Sequence, residues 1–289
     1  MELNLNVTVK FPLAKENQFS DAIRCHALDL INGRCYVDAD KLCSRFADEG
    51  HPEAMYIVGH ARMLACNVGQ LPTEFIIGAV QWLQKASNQG HPLATFELGK
   101  YYYFQTRDYQ NARLCFKKLD SPACPPGLPP KERAEVNRYL GIMYYDGLGG
   151  EKDPVNAIQH YTSAAYAGDT EAQFLLGFME LFFYPPGPFG LTHLQDAANQ
   201  RHAEATFWLG YYYARIGNTE VARIQFEKAA HLDHPVACYY LGNHYLESTN
   251  TYLHAKSYYM KATQLGCTYS AQILQYLDQF NWNAVCHSN

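Results

Sequence analysis

A small residue followed five positions later by glycine recurs along this 289-residue chain. The copies are Ala54–Gly59, Ala94–Gly99, Val136–Gly141, Ala172–Gly177, Ala205–Gly210 and Ala237–Gly242, with a degenerate one at Ser270–Gln275. The markers at 59, 99, 141, 177, 210, 242 and 275 are therefore 40, 42, 36, 33, 32 and 33 residues apart. A second signature has alanine, a turn residue eleven positions on, and the next small residue four later. It appears as Ala39/Gly50/Ala54, Ala79/Gly90/Ala94, Ala157/Gly168/Ala172, Ala222/Asp233/Ala237 and Ala255/Gly266/Ser270, with a weaker Gly190/Arg201/Ala205 copy. Periods of this size mean two-helix units that must stack, because one helix pair cannot cover its own apolar face. The constant spacing from each second (B) helix to the next first (A) helix fixes one tight turn. The variable spacing from A to B leaves the other loop free.

The fullest copy is Tyr139–Gly177. Leu140, Gly141 and Tyr144 mark its A helix, and Asp146, Gly147, Leu148, Gly149 and Gly150 break it. Asp153 is the expected N-cap, with Pro154 at the first helical position, where a missing N–H costs nothing. Ala157, Ile158, Tyr161, Ala164 and Ala165 recur at helical spacing, and Gly168 ends the B helix. Gly and Ala at the crossing let helix axes approach to roughly 8–10 Å or less. Leu98, Leu140, Leu176, Leu209 and Leu241 fill the seam, and Tyr102, Tyr144, Tyr213 and Tyr245 add large buried area.

These motifs, the DGLGG loop and the Asp-Pro start above all, resemble the Sel1-like repeat family of the tetratricopeptide-like superfamily. The resemblance spans about Ala39 to Gln275. It implies an all-α, right-handed α/α solenoid of about six to seven helix-pair repeats with an N-terminal extension. Three domains are expected: an N-terminal extended segment and capping helix at 1–38, the repeats at 39–275, and a C-terminal capping tail at 276–289. The chain departs from the family in the long NVGQLPTEF loop, the proline-rich SPACPPGLPP insertion and the YPPGPFG loop.

Hydrophobic residues make up 48% and aromatics 14%, with 23 tyrosines, which fits the repeated Tyr positions. The net charge of −5 comes without a basic stripe, which argues against nucleic-acid and anionic-membrane partners. No apolar run of about 18 residues exists to span a membrane. The start, MELNLNVTVKF, lacks the pattern of a leader, so a cytoplasmic location is expected, or a secreted one if a leader was removed. Nine cysteines without a repeating pair read as reduced thiols. The resemblance adds that some secreted members pair cysteines eight positions apart, a spacing that Cys35 and Cys43 have.

Residues 1–11 alternate apolar and polar, the period of a strand, expected to lie over the first helices or to offer an edge to a partner. A helix over about 19–32, ended by Gly33, is expected to cap the array. The NWNAVCHSN tail is expected to fray, unless Trp282 docks on the last repeat.

No HExxH, CxxC, GxSxG or P-loop occurs, so no catalytic residues, metal ligands or cofactors are assigned. His51, His91, His202 and His234 follow the B-helix turns and read as turn residues. Glu171 and Glu204, at the A-helix starts, suit the helix dipole. The tetratricopeptide-type geometry implied by the resemblance places the positions three before and one, four and five after each marker glycine on a concave surface. From that set come the candidate partner-binding residues Lys100, Tyr103, Arg138, Tyr145, Phe178, Tyr211, Arg215 and Asn243. Aromatics three before the glycine, Phe96, Phe174 and Phe207, read instead as packing. Phe182, Phe183, Tyr184 and Phe189 around the proline-stiffened loop form a second candidate, of which Phe183, Tyr184 and Phe189 are the loop's binding residues.

Together these readings predict a non-enzymatic scaffold or adaptor, bacterial, binding a protein or peptide partner in the groove. The resemblance extends this to regulation or neutralisation of a cognate effector. The alternatives are a secreted virulence-associated or peptidoglycan-related repeat protein, and a metal- or ligand-binding protein that uses the histidines.

Overall fold

The B-to-A turn sets the architecture, and it is built the same way six times. The computed structural model describes residues 19–121, 126–182, 189–246 and 252–279. The alternating 1–11 segment, Phe183, Tyr184 and the tail with Trp282 lie outside the described residues. At each turn a positive-φ residue follows the B helix: Gly50, Gly90, Gly168, Arg201, Asp233 and Gly266. The next residue sends its N–H back five positions, the Schellman pattern, as in His51 N to Phe46 O, His91 N to Ala86 O and Asp169 N to Ala164 O. This pairing satisfies the carbonyls that a helix end would otherwise leave bare. The residue that closes the B helix is also the N-cap of the next A helix. A three-residue connection therefore does both jobs, and its length cannot vary.

Fifteen α-helices result among the described residues. The B helices are α2 (Tyr36–Asp48), α4 (Phe75–Asn88), α6 (Tyr109–Asp120), α8 (Pro154–Tyr166), α10 (Gly190–Asn199), α12 (Thr219–His231) and α14 (Tyr252–Gln264). The A helices are α3 (Pro52–Asn67), α5 (Pro92–Lys100), α7 (Pro130–Asp146), α9 (Thr170–Phe182), α11 (Ala203–Arg215), α13 (Pro235–Leu246) and α15 (Thr268–Gln279). Helix α1 (Asp21–Asn32) precedes them, capped by Ser20, whose hydroxyl accepts from Ile23 N–H. Asp153 caps α8 by accepting from Asn156 N–H at 3.1 Å, with Pro154 in its first turn as the sequence predicts. A π-helical turn, Tyr101–Thr106, extends α5. The chain divides into two compact units: residues 1–136 with 147–151, and 137–146 with 152–289.

Within each unit the marker glycines are sockets. A Cβ on Gly99 would lie 2.6 Å from the Phe116 ring. One on Gly141 would lie 2.6 Å from Tyr161, one on Gly210 2.7 Å from Phe226, and one on Gly242 2.6 Å from Tyr259. At Gly59 the filler is Leu83, at 2.8 Å. Each filler comes from the B helix of the same pair, and Leu83, Phe116 and Tyr259 are fully buried. The alanines of both signatures, Ala39, Ala54, Ala79, Ala94, Ala157, Ala172, Ala205, Ala237 and Ala255, are inaccessible to solvent. Interiors packed this densely do not absorb a methyl group without shifting.

A second device ties successive repeats together. His91 Nδ1 accepts from Ala94 N–H at 3.1 Å, and Nε2–H donates to Glu53 at 2.8 Å. Its ring stacks on Tyr56 with centroids 4.7 Å apart. His202 repeats this with Ala205, Glu171 and Phe174, and His234 with Ala237, Glu204 and Phe207. Each ring caps its own A helix while gripping the first turn of the previous A helix. The cap needs an unprotonated Nδ1, which leaves the ring proton on Nε2 for the glutamate. At the α8–α9 turn the device is recast. Asp169 accepts from Ala172 N–H at 2.8 Å, and Arg138, in the aromatic's position, pairs with it at 3.0 Å.

Seven cysteines are free thiols among the described residues. Burial pushes the Cys43 thiol up to about 12 and Cys115 up to about 11, so neither is a thiolate near neutrality.

Two outcomes are expected. Gly141→Ala overpacks the Tyr161 socket and should cost about 1–3 kcal/mol in denaturant unfolding. Gly78→Ala, inside α4 with only the Arg62 side chain within reach at 3.9 Å, should be neutral or stabilising by up to about 1 kcal/mol. The histidine hydrogen bonds are the first cause holding Glu53, Glu171 and Glu204 below their ordinary value of 4.5. A depressed carboxylate stabilises the fold above that value and loses its contribution as pH falls below it. The Tm of the wild type should therefore fall between about pH 5 and about pH 3 more steeply than that of a Glu53→Gln/Glu171→Gln variant.

Candidate functional site

The clamp decides which A-helix positions are left for other work. Aromatics three residues before the marker glycine are taken up by packing: Tyr56, Phe174 and Phe207 are buried under clamp histidines, and Phe96 is buried with its ring 6.5 Å from Phe116. The packing reading of these positions matches their placement. The cleft between consecutive A helices is lined instead by residues two before and one and five after the glycine.

In the first unit this cleft lies between α3 and α5 with its π turn. It encloses ≈ 240 Å³ and includes His60, Glu97, Lys100, Tyr101 and Phe104. Lys100 Nζ donates to Glu97 at 2.8 Å and lies 4.6 Å from the centre of the Phe96 ring. The His60 ring stacks on Tyr56, and its buried Nδ1 is 3.9 Å from Glu97. Burial holds the His60 imidazole below its ordinary value, against the opposing pull of Glu97. The wide π turn shifts the register of the residues after Lys100. Phe104, 55% exposed, lines the cleft, while the Tyr103 ring packs 5.5 Å from Tyr109 on α6.

In the second unit the equivalent positions on α9 and α11 are aromatic. Phe178 and Phe182 meet Trp208 at 4.6 and 5.2 Å between centroids, and Tyr211 lies 5.3 Å from Trp208 and 6.1 Å from Phe182. All four are half-buried, so one ring surface after another faces solvent. Trp208 is oriented by its indole N–H, which donates to Glu204 at 2.9 Å. The other oxygen of Glu204 accepts from His234, so the platform is anchored to the inter-repeat clamp.

The other predicted residues fall elsewhere. Arg138 is held by Asp169 and stacks on the Tyr139 ring at 4.7 Å. Asn243 accepts a 2.6 Å bond from the hydroxyl of Tyr259, the filler of the Gly242 socket. Both side chains thus have internal partners, which a helical-position rule does not register. Tyr145, 39% exposed, ends α7, and Arg215 is exposed at the end of α11. Phe189, 55% exposed, precedes α10 and approaches His193. Phe183 and Tyr184, the other loop candidates, are outside the described residues. The sequence reading missed Glu97 and Trp208. The signal was a charged or bulky polar-tipped residue directly before Leu-Gly, in Glu97-Leu98-Gly99 and Trp208-Leu209-Gly210.

Chemically the surface offers stacking area and hydrogen bonds. Among the described residues no three His, Cys, Asp or Glu side chains are grouped to hold a metal ion. No helix of the described residues is long and apolar enough to cross a membrane.

Two solved structures share this architecture. A Sel1 repeat protein from Oxalobacter formigenes aligns with a TM-score of 0.64 at 19% identity, over 84% of this chain and 97% of that one. A protective antigen of uropathogenic Escherichia coli strains, displaying an SLR fold, gives 0.61 at 20% identity, over 84% of this chain. The chain spans 60% of that antigen's length. Identities this low speak for the fold alone. A search of curated proteins finds no match. The Sel1 repeat model matches residues 52–91, 92–119, 134–169, 203–234 and 235–267, more than half of the sequence. Glycine sockets, Schellman turns and repeat-by-repeat matches coincide, and the chain belongs to the Sel1 repeat family.

Proposed function

We propose that this protein is a non-enzymatic binding scaffold whose α9–α11 aromatic platform receives an apolar segment of a protein partner. Sel1 repeat proteins generally mediate protein–protein interaction, which supports the general class. The observation that carries the specific reading is the run Phe178, Phe182, Trp208 and Tyr211. These rings are half-exposed, and they fill together the positions that other repeats share between polar residues such as His60, Glu97, Lys100 and Asn243 and single aromatics such as Phe104, Tyr139 and Tyr240. The position one after the glycine is polar at His60, Lys100 and Asn243, so the fold does not require the rings of Phe178 and Tyr211 there. Rigid aromatics lose little side-chain entropy on binding, and Trp and Tyr dominate interface hot spots. Trp208 is already locked by Glu204, so its orientation costs nothing when a partner arrives.

The test uses peptides selected by display against the full chain and followed by tryptophan fluorescence. A peptide seated on the platform should perturb Trp208 emission. Tyr211→Ala should weaken it by about 2 kcal/mol, roughly thirtyfold, without lowering Tm. Peptides whose affinity is indifferent to Tyr211→Ala and to Phe178→Ala would move the binding surface off the platform.

A further inference from the structure

One B-to-A turn breaks the pattern of the rest. Glycine occupies the positive-φ position at 50, 90, 168 and 266, and Asp233 serves at the α12–α13 turn. At the α10–α11 turn the residue is Arg201, with φ of 64°. A left-handed backbone is uncommon for a long side chain, yet this chain holds it at Arg34 and Arg107 as well, so what sets Arg201 apart is what surrounds it at its turn.

The equivalent positions of the neighbouring repeats show what differs at this turn. Lys118, Lys228 and Lys261 hold one repeat position, each two residues after the ring that fills a glycine socket. Lys118 donates to Ser87 O at 2.8 Å, at the end of the preceding B helix. Lys261 donates to Ala230 O at 2.6 Å and pairs with Asp233 at 2.9 Å. Lys228 makes neither bond among the described residues, and the turn residue opposite it is a second cation. Between α10 and α12 a cleft of ≈ 260 Å³ remains, lined by Arg201, Lys228, His231, Asn199 and Gln225 among others. Among the described residues no carboxylate lines it. Arg201, Lys228 and His231 make no ion pair among the described residues, in a chain whose net charge is −5.

Arg201 and Lys228 bring two unit charges. The C-terminal ends of α10 and α12 offset about half a unit each, which leaves a positive centre. His231, Asn199 and Gln225 add hydrogen-bonding groups around it. We propose that this cleft binds a single oxyanion group, a carboxylate or a phosphate, which takes the place that Asp233 fills beside Lys261. Arginine matches such a group bidentately, and lysine adds a point charge. The site shares no residue with the aromatic platform and stands independently of it.

The test is an NMR titration of the full chain with inorganic phosphate and, separately, with N-acetylglutamate, each against sodium chloride of equal ionic strength. The Arg201 and His231 side-chain signals should shift saturably with at least one oxyanion and not with chloride. Tighter binding of phosphate assigns a phosphorylated ligand, and tighter binding of N-acetylglutamate assigns an acidic peptide. Lys228→Ala should weaken binding roughly tenfold. Arg201→Gly should abolish binding while raising Tm, because glycine relieves the left-handed backbone. Shifts that never saturate, or that equal those with chloride, overturn the proposal. So does oxyanion binding that survives both substitutions.

Discussion

The close approach of each A helix to its own B helix is the constraint on which the rest of this structure depends. Leu83, Phe116, Tyr161, Phe226 and Tyr259 sit so near the backbone of Gly59, Gly99, Gly141, Gly210 and Gly242 that a single methyl group would collide with them. The pair is thereby locked face to face. Once locked, its remaining apolar surface points toward the next pair, and stacking follows from the need to cover it. The α9–α10 pair shows how strongly the socket is kept. At Gly177 the filler is Leu194, and the B helix itself starts with glycine, Gly190, which meets the α9 side chains Glu180 and Leu181. Where the ring is lost, the backbones close the gap.

Stacking alone leaves repeats free to slide, and the histidine clamp removes that freedom. One imidazole makes two directional bonds and one stacking contact, each to a different part of the junction. Neither bond is strong by itself, since a net hydrogen bond contributes about 1 kcal/mol. Their value is geometric, because they set the rotation between neighbouring A helices. The Arg138–Asp169 version reaches the same end with an ion pair only 18% and 10% exposed, where screening is weak. Function then grows from the positions the clamp leaves unused. In one unit these carry polar groups around His60 and Glu97, in the other the rings around Trp208.

The periodic part of this account was legible in the chain. The small residues, the marker glycines, the Asp153-Pro154 start and the end of α1 at Gly33 all follow from local backbone preference, which the residues carry with them. The histidines after the turns were legible as turn residues. Their glutamate partners were not, because Glu53 and His91 are 38 positions apart and meet only when two repeats stack. The candidate residues divide along the same line. Phe178 and Tyr211 lie in the aromatic platform, whereas Arg138 and Asn243 have partners inside the fold, Asp169 and Tyr259. No spacing rule announces those partners. Tyr103 is displaced toward Tyr109 by a π turn that the run Tyr101-Tyr102-Tyr103-Phe104 does not signal.

The sequence by itself determined the helix-pair repeat, its tight turn and its family. Each rests on residue types whose effect is local: glycine's left-handed backbone, alanine's small volume, and the caps of Asp and His. Only the tertiary structure decided which of the repeated positions are surface. Burial, cation pairing and ring contact depend on residues 20 to 40 places away, brought together by stacking. Arg201 shows the division most clearly. In the sequence it is a weak copy of a glycine, and in the folded protein it is an exposed cation that lines an open cleft together with Lys228.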